Sequence, residues 1–372
     1  MTTSIGTFSA NDWNRCFPGD PENAAFYSVC ERAGPAEFEW FYAAVFDGER
    51  LVAAVPAFGT TYRLDTTVQG GWKRVTNALH GVAPQLMSLR LMALGSPVAE
   101  ICHLGFAPEV ASTDKSSLLA RIVGALQAFG AERGYRLFGV KDAPEVDGAL
   151  WNGVLMPLGF ARLPGLPTAV LDLPYGSLED YFASLSRATR KDMRRKIKTL
   201  GGLKIEQRRS IDDVAREVAA LYEETVARSD LQFEHLPPGY FPELLRTLAP
   251  NASVILYWSN GVLVAFNLIL EVEGRLIDKY IGMNREAIRT YNLYFNSWLW
   301  NVRYCIERKI PLYQSGQAVY GPKLRLGCRL QPNLQYFRHA NSVVNAALRQ
   351  VAKIVRHDRF DPALAALSKE AS

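Results

Sequence analysis

Two stretches of this chain share one order of elements, and that repetition constrains its fold more than any local motif. Residues 38–140 read as a hairpin, a third strand, a helix and a fourth strand, and residues 253–314 read the same way. Each hairpin carries a turn dipeptide between apolar, β-branched runs: Asp47-Gly48 in the first, Asn260-Gly261 in the second. Such dipeptides are the strongest short-range hairpin signal. A hairpin feeding a strand–helix–strand crossover, twice over, predicts an α/β (mixed α+β) chain with two mixed sheets flanked by helices. With 372 residues, 48% hydrophobic and 21% charged, the chain can bury two cores.

The first domain is expected over 1–175. Pro56 ends or bulges its second strand. The stretch 60–97 has no counterpart in the second copy; it holds Gly70-Gly71-Trp72-Lys73-Arg74 and a helix-like segment at 84–94. It reads as a lid over the substrate groove. A strand at 99–105 follows, then an amphipathic helix at 116–133 closed by Gly134, and strands at 135–141 and 169–173. The second domain is expected over 176–340. Ser177 and Asp180 make a capping-box-like start to a helix that runs to about Leu200 and stops at Gly201-Gly202. A strand (203–207) and a helix (211–228) precede the second hairpin. Its crossover comprises strand 275–283, helix 290–308 and strand 310–314, before a short helix at 318–326 and a strand at 334–338. The tail, 341–372, reads as helical.

Composition excludes several classes. The net charge of +5 does not by itself call for nucleic acid. Five widely spaced cysteines without a CxxC pair indicate neither a disulfide framework nor a zinc site, so buried thiols and no metal are expected. The first residues lack a basic segment followed by an apolar one, and no uncharged apolar run has the length of a membrane span. The cytoplasm is the expected compartment.

Three segments carry a resemblance. They are 187–198 (RATRKDMRRKIK), 290–296 (TYNLYFN) and 314–328 (QSGQAVYGPKLRLGC). With the element order, they make the chain resemble the Fem-like branch of the GNAT acyltransferase superfamily, which carries two GNAT domains in tandem. The resemblance spans nearly the whole chain. It implies transfer of an acyl group to an amine, with the second domain catalytic.

The chemistry implied needs strands that part to offer N–H groups to the acyl carbonyl, a path for the amine proton, and a proton for the leaving group. The parting is expected between residues 280–283 and 313–316, where Gly282 permits close backbone approach and Gln314 lies alongside. Tyr320 matches the tyrosine that serves many GNAT enzymes as general acid; the bland alternative is a packed aromatic. Asp278 is a candidate base or amine-binding carboxylate. Lys323 matches a lysine of Fem-like sequences, so a binding role is implied for it, while Arg325 reads as a surface residue. Asn292, near the start of the long helix, suits an anion or a carbonyl, or simply caps the helix.

One departure bears on the donor. GNAT enzymes that bind coenzyme A usually have a glycine-rich loop after the third strand, and here neither copy has one. The backbone cradle for a pyrophosphate is absent or rebuilt. Arg285 and Arg289 are the side chains that could replace it. No tightly bound cofactor is expected; the donor is acyl-CoA, an acyl carrier protein or an aminoacyl-tRNA.

Arg187, Arg190, Lys191, Arg194, Arg195 and Lys198 form a cationic stripe opposite Leu178, Tyr181, Phe182, Leu185, Met193 and Ile197. The stripe is a candidate polyanion-binding face for nucleic acid or an anionic membrane, or a solvated surface. The reading that combines these features is an N-acyltransferase using a thioester donor and an amine acceptor in envelope or specialised-metabolite biosynthesis. The alternatives are an aminoacyl-tRNA-dependent transferase and a non-catalytic GNAT relic that binds through its basic helix.

Overall fold

A computed structural model describes residues 1–63, 88–229, 233–352 and 364. Its contacts divide the chain into two compact units: 1–18, 36–167 and 332–372 form the first, and 19–35 and 168–331 the second. The chain crosses between units at Pro18, Pro35, Pro167 and Pro332. A proline stands at every crossing because it removes a ladder donor and resists continuing a strand or helix.

Helices α1 (Ala10–Arg15) and α2 (Ala24–Ala33) come first. Strands β1 (Glu39–Asp47) and β2 (Arg50–Arg63) form the first hairpin. Its last pair is Asp47↔Arg50, so the loop is Gly48-Glu49, one residue later than the dipeptide suggests. Gly48 takes φ 59°, a conformation glycine adopts without cost. Next come β3 (Ser88–Leu94), β4 (Gly105–Phe106), α3 (Lys115–Glu132), β5 (Leu137–Pro144), α4 (Gly148–Leu155) and β6 (Ala161–Pro164).

The third strand of the first copy is therefore β3, not 99–105. It pairs in parallel with β5 from Leu91↔Leu137 to Leu94↔Val140. Residues 91–94 are buried throughout. A short apolar run of this kind reads equally as helix or buried strand, which explains the helical expectation for 84–94. The rest of the expected lid, 64–87, lies outside the described residues. Helix α3 makes the crossover and lays Leu118, Leu119, Ile122, Val123 and Leu126 on the sheet.

The chain continues through β7 (Thr168–Asp172), α5 (Leu178–Ser184), α6 (Arg187–Lys196), β8 (Lys204–Arg208), α7 (Ala215–Val226) and α8 (Tyr240–Thr247). The expected single helix from Ser177 is broken at Leu185, which is extended, because Ser186 caps a new helix by accepting from Thr189 N–H. The second hairpin is β9 (Ala252–Ser259) and β10 (Val262–Val272), closed by Asn260 (φ 49°) and Gly261 (φ 81°). Then follow β11 (Arg275–Met283), α9 (Arg285–Tyr291), α10 (Leu293–Glu307), β12 (Leu312–Gly316), α11 (Tyr320–Arg325), β13 (Arg329–Gln331), β14 (Asn333–His339) and α12 (Ser342–Ala352).

The first sheet runs β1-β2-β3-β5-β14-β6, with β4 on β2; the second runs β13-β7-β12-β11-β10-β9-β8. The boundaries 1–175 and 176–340 drawn from the sequence are thus crossed by two strands. β7, expected to finish the first domain, pairs with β12 and β13 of the second unit. β14, expected to finish the second, pairs with β5 and β6 of the first. Linear order shows that a strand exists; only hydrogen-bond pairing shows which sheet it completes. Among the described residues, no helix is long and apolar enough to cross a membrane. All five cysteines are buried free thiols.

Candidate functional site

The site is built where two parallel strands of the second unit part. β11 and β12 pair at Arg275↔Leu312, Leu276↔Tyr313 and Ile277↔Gln314. Beyond Ile277, β11 runs on to Met283 beside β10, while β12 ends at Gly316 against β7. The strands therefore separate slightly before the expected place, with Tyr313 and Gln314 still paired.

Asp278 is the first β11 residue past the last parallel pair. A bulge follows at once: Leu268 faces Tyr280 and Ile269 faces Asp278, so Lys279 is the extra residue. A bulge reverses the alternation of side chains. Asp278 consequently meets α10, while Tyr280 stacks edge-on with Tyr240 and Phe241 of α8. Lys279 forms a buried ion pair with Glu22, just ahead of α2.

Three neutral donors converge on the Asp278 carboxylate. Asn267 Nδ2 donates to Oδ1 at 2.5 Å, Tyr313 OH to Oδ2 at 2.6 Å, and Asn301 Nδ2 to Oδ2 at 3.3 Å. Asn301 Nδ2 also lies 3.0 Å from Tyr313 OH. Burial pushes the Asp278 carboxyl above the usual carboxylate range, although the donors and the charge of Lys323 pull the other way. Around it, the carboxamide oxygens of Asn267 and Asn301 and the hydroxyls of Tyr257 and Tyr294 have no hydrogen-bond partner among the described residues. Unpaired buried polar atoms are costly and rare, so this cluster marks a polar interior kept for a purpose other than stability.

The segment after β12 is strained. Gly316, Ala318 and Val319 have φ of 82°, 71° and 53°. Positive φ at a β-branched residue is a genuine outlier, and such strain concentrates at functional sites. Lys323 holds the loop together: its buried Nζ donates to the carbonyls of Ser315 (2.6 Å), Gly316 (3.1 Å) and Gln317 (3.4 Å). The ammonium predicted to bind substrate is committed to the chain's own backbone. Tyr320, the predicted acid, opens α11 and is 1% exposed.

The remaining predicted residues divide. Gln314 is buried and accepts from Arg275 Nη1 at 3.4 Å. Gly282 does permit close approach, but to protein: a Cβ there would lie 2.2 Å from Phe266 Cε1 and 2.9 Å from the backbone carbon of Leu221. It seats α7 on the sheet. Asn292 adopts φ 49° between α9 and α10, and its side chain caps neither. The cap of α9 is Asn284, whose Oδ1 accepts from Glu286 and Ala287 N–H. Arg285 and Arg289 are exposed on α9. In the basic helix, Arg187, Lys191, Arg194, Arg195 and Lys198 are exposed and Arg190 is half-buried; Arg194 pairs with Glu179 and Arg195 with Asp192. Arg325 is exposed, as expected.

Sequence reasoning missed Asn267, Asn301, Tyr313 and Glu224. Asn267 had a signal: it is the one polar side chain in the apolar run 262–270. Glu224 had none. It sits near the end of α7, and its Oε1 accepts from Arg285 N–H at 2.6 Å, where β11 gives way to α9.

Two sheets, each with a parallel pair spanned by a crossover helix, define a tandem GNAT fold. A family model described as FemAB-like, peptidoglycan biosynthesis/recognition, matches residues 168–367, more than half of the chain. The protein belongs to the FemAB-like family. Its fold is similar to that of FemX, at 10% identity and TM-score 0.60, over 94% of this chain and 99% of the other. It is similar to the C-terminal domain of a putative lysylphosphatidylglycerol synthetase from Agrobacterium fabrum, at 13% identity and TM-score 0.56, over 93% and 96%. It is also similar to a tandem GNAT protein from the clavulanic acid biosynthesis pathway, at 12% identity and TM-score 0.51, over 91% and 95%. No curated protein sequence matches it.

Proposed function

We propose that the second unit transfers an acyl or aminoacyl group from an activated donor to a primary amine in peptidoglycan or lipid biosynthesis. The observation that carries this reading is Asp278, a carboxyl raised by burial and held by three donors where β11 and β12 part. The family description and the folds of FemX and the lysylphosphatidylglycerol synthetase domain support the class.

In this reading the donor carbonyl enters between the parted strands, where backbone N–H groups stabilise the developing oxyanion. The amine nitrogen attacks the carbonyl carbon and a C–N bond forms. Asp278 takes the amine proton. The C–S or C–O bond to the carrier breaks, and Tyr320 protonates the departing group. Lys323 contributes by fixing the loop 315–317, not by touching the donor. The donor is a thioester of coenzyme A or a carrier protein, or the ester of an aminoacyl-tRNA.

The test offers acyl-CoA, acyl carrier protein and aminoacyl-tRNA with a lysine-containing stem peptide and phosphatidylethanolamine, and reads products by mass spectrometry. Asp278→Asn is expected to slow transfer about 10²- to 10⁴-fold. A wild-type rate in that variant sinks the site assignment, and absence of product with every pair sinks the reading. The exposed cations of α6 favour a second reading, a docking face for a polyanion, which is compatible with the first.

A further inference from the structure

At the carboxyl end of a parallel strand, where the chain turns into a helix, α/β folds receive anionic groups on backbone N–H donors. In the second unit those donors are spent. Met283 N–H bonds Thr225 Oγ1 at 2.8 Å, and Asn284 N–H bonds the Val264 carbonyl at 2.9 Å. Arg285 N–H bonds Glu224 Oε1 at 2.6 Å. Glu286 and Ala287 N–H both bond Asn284 Oδ1 at 3.1 Å, and Ile288 N–H bonds the Asn284 carbonyl at 3.0 Å. Every amide from 283 to 288 has an acceptor from this chain, and one acceptor is a carboxylate.

Glu224 is itself held in place. Its Oε2 accepts from Asn284 Nδ2 at 3.3 Å, and Arg228 Nη1 lies 3.3 Å from Oε1. Arg228 Nη2 donates onward to the Met283 carbonyl at 2.9 Å. The local cation is thus already paired.

We infer that Glu224 is a specificity-determining residue: its carboxylate stands where a donor's diphosphate would bind, and it excludes coenzyme A-type donors from this end of the site. A diphosphate placed there would find no free N–H and would face a like charge at close range. Glycine content alone would not reveal this, because the exclusion comes from a side chain sixty residues upstream in sequence, on α7. The inference rests on the transferase reading and narrows its donor to an activated acyl group carried without a diphosphate at this position.

Coenzyme A is the probe. The full chain and its Glu224→Gln and Glu224→Ala variants are titrated with coenzyme A by calorimetry. Wild type is expected to show no saturable binding up to millimolar concentration. Glu224→Ala should bind at least about tenfold more tightly than wild type, with Glu224→Gln between them because the amide keeps an acceptor but not the charge. Micromolar binding by wild type, or no gain in either variant, overturns the proposal. If Glu224→Ala does not fold by circular dichroism, Glu224→Gln alone decides. Acetyl-pantetheine, which lacks the diphosphate, and acetyl-CoA are then compared as donors. Loss of the wild-type preference for acetyl-pantetheine in Glu224→Ala supports the inference. Absence of transfer from either donor counts against the transferase reading, and the calorimetry still decides this one.

Discussion

Tyr313 donates its phenolic hydrogen to Asp278 Oδ2 across 2.6 Å, tying β12 to the first residue of β11 beyond their shared ladder. The Tyr313 ring is fixed in turn by an edge-on contact with Trp298, with centroids 4.9 Å apart. The donor favours the charged form of Asp278, so its removal raises a pKa that burial has already raised. Tyr313→Phe is therefore predicted to move the acidic limb of the kcat/KM profile to higher pH while keeping substantial activity at alkaline pH. A pH–rate profile that superimposes on wild type would show that Asp278 is not the titrating base.

The same raised pKa has a consequence for stability. Between the unfolded carboxyl value and the raised folded one, the folded state binds more protons, so stability falls as pH rises through that window. Asp278→Asn removes this penalty. It is predicted to lose activity without losing thermal stability at neutral pH, and to flatten the pH dependence of the Tm above about pH 4. Scanning calorimetry across pH checks it, and a variant that melts well below wild type at neutral pH contradicts the sign.

The loop after β12 should respond oppositely to two substitutions. Lys323→Met strips three backbone carbonyls of their donor and is predicted to cost at least about 2 kcal/mol. Val319→Gly relieves a left-handed β-branched residue that is 52% exposed, and is predicted to add up to about 1 kcal/mol. Urea unfolding of both variants measures the pair, and a gain from the first or a loss from the second would refute the clamp.

Gly282→Ala pushes a methyl into Phe266 and the Leu221 backbone, so it is predicted to destabilise the protein by about 1–3 kcal/mol. Denaturant midpoints test this; an unchanged midpoint would return Gly282 to the role of a ligand-facing glycine.

The exposed cations Arg187, Lys191 and Lys198 are predicted to contribute to binding of single-stranded or folded RNA in a salt-dependent way. Changing all three to Ala should reduce the slope of log K against log salt by about 2. An unchanged slope would leave the stripe a solvated face.

Much of the fold was legible because it is local. Asn260-Gly261 requires positive φ at both residues, and it closes the second hairpin as its type predicts. Ser177 caps its helix as the spacing with Asp180 suggests. The third strand of the first copy was missed because residues 91–94 are buried on both faces and carry no alternation. Of the candidate site, Asp278 was named, and Lys323 and Tyr320 were given roles by resemblance. The partners that make Asp278 unusual were not, because Asn267, Tyr313 and Asn301 come from three different elements.

The sequence by itself determined the repeated hairpin-and-crossover scaffold, the apolar faces and the absence of a glycine cradle after β11. These follow from periodicity, turn chemistry and backbone freedom, which are properties of neighbours along the chain. Only the tertiary structure decided that β7 and β14 complete sheets other than the ones they follow or precede. It alone decided that a bulge at Lys279 turns Asp278 towards Tyr313, and that Lys323 and Glu224 are spent on the chain's own backbone. Those outcomes depend on which distant donors and acceptors meet in low dielectric, where an unpaired group is costly and almost every pairing is long-range.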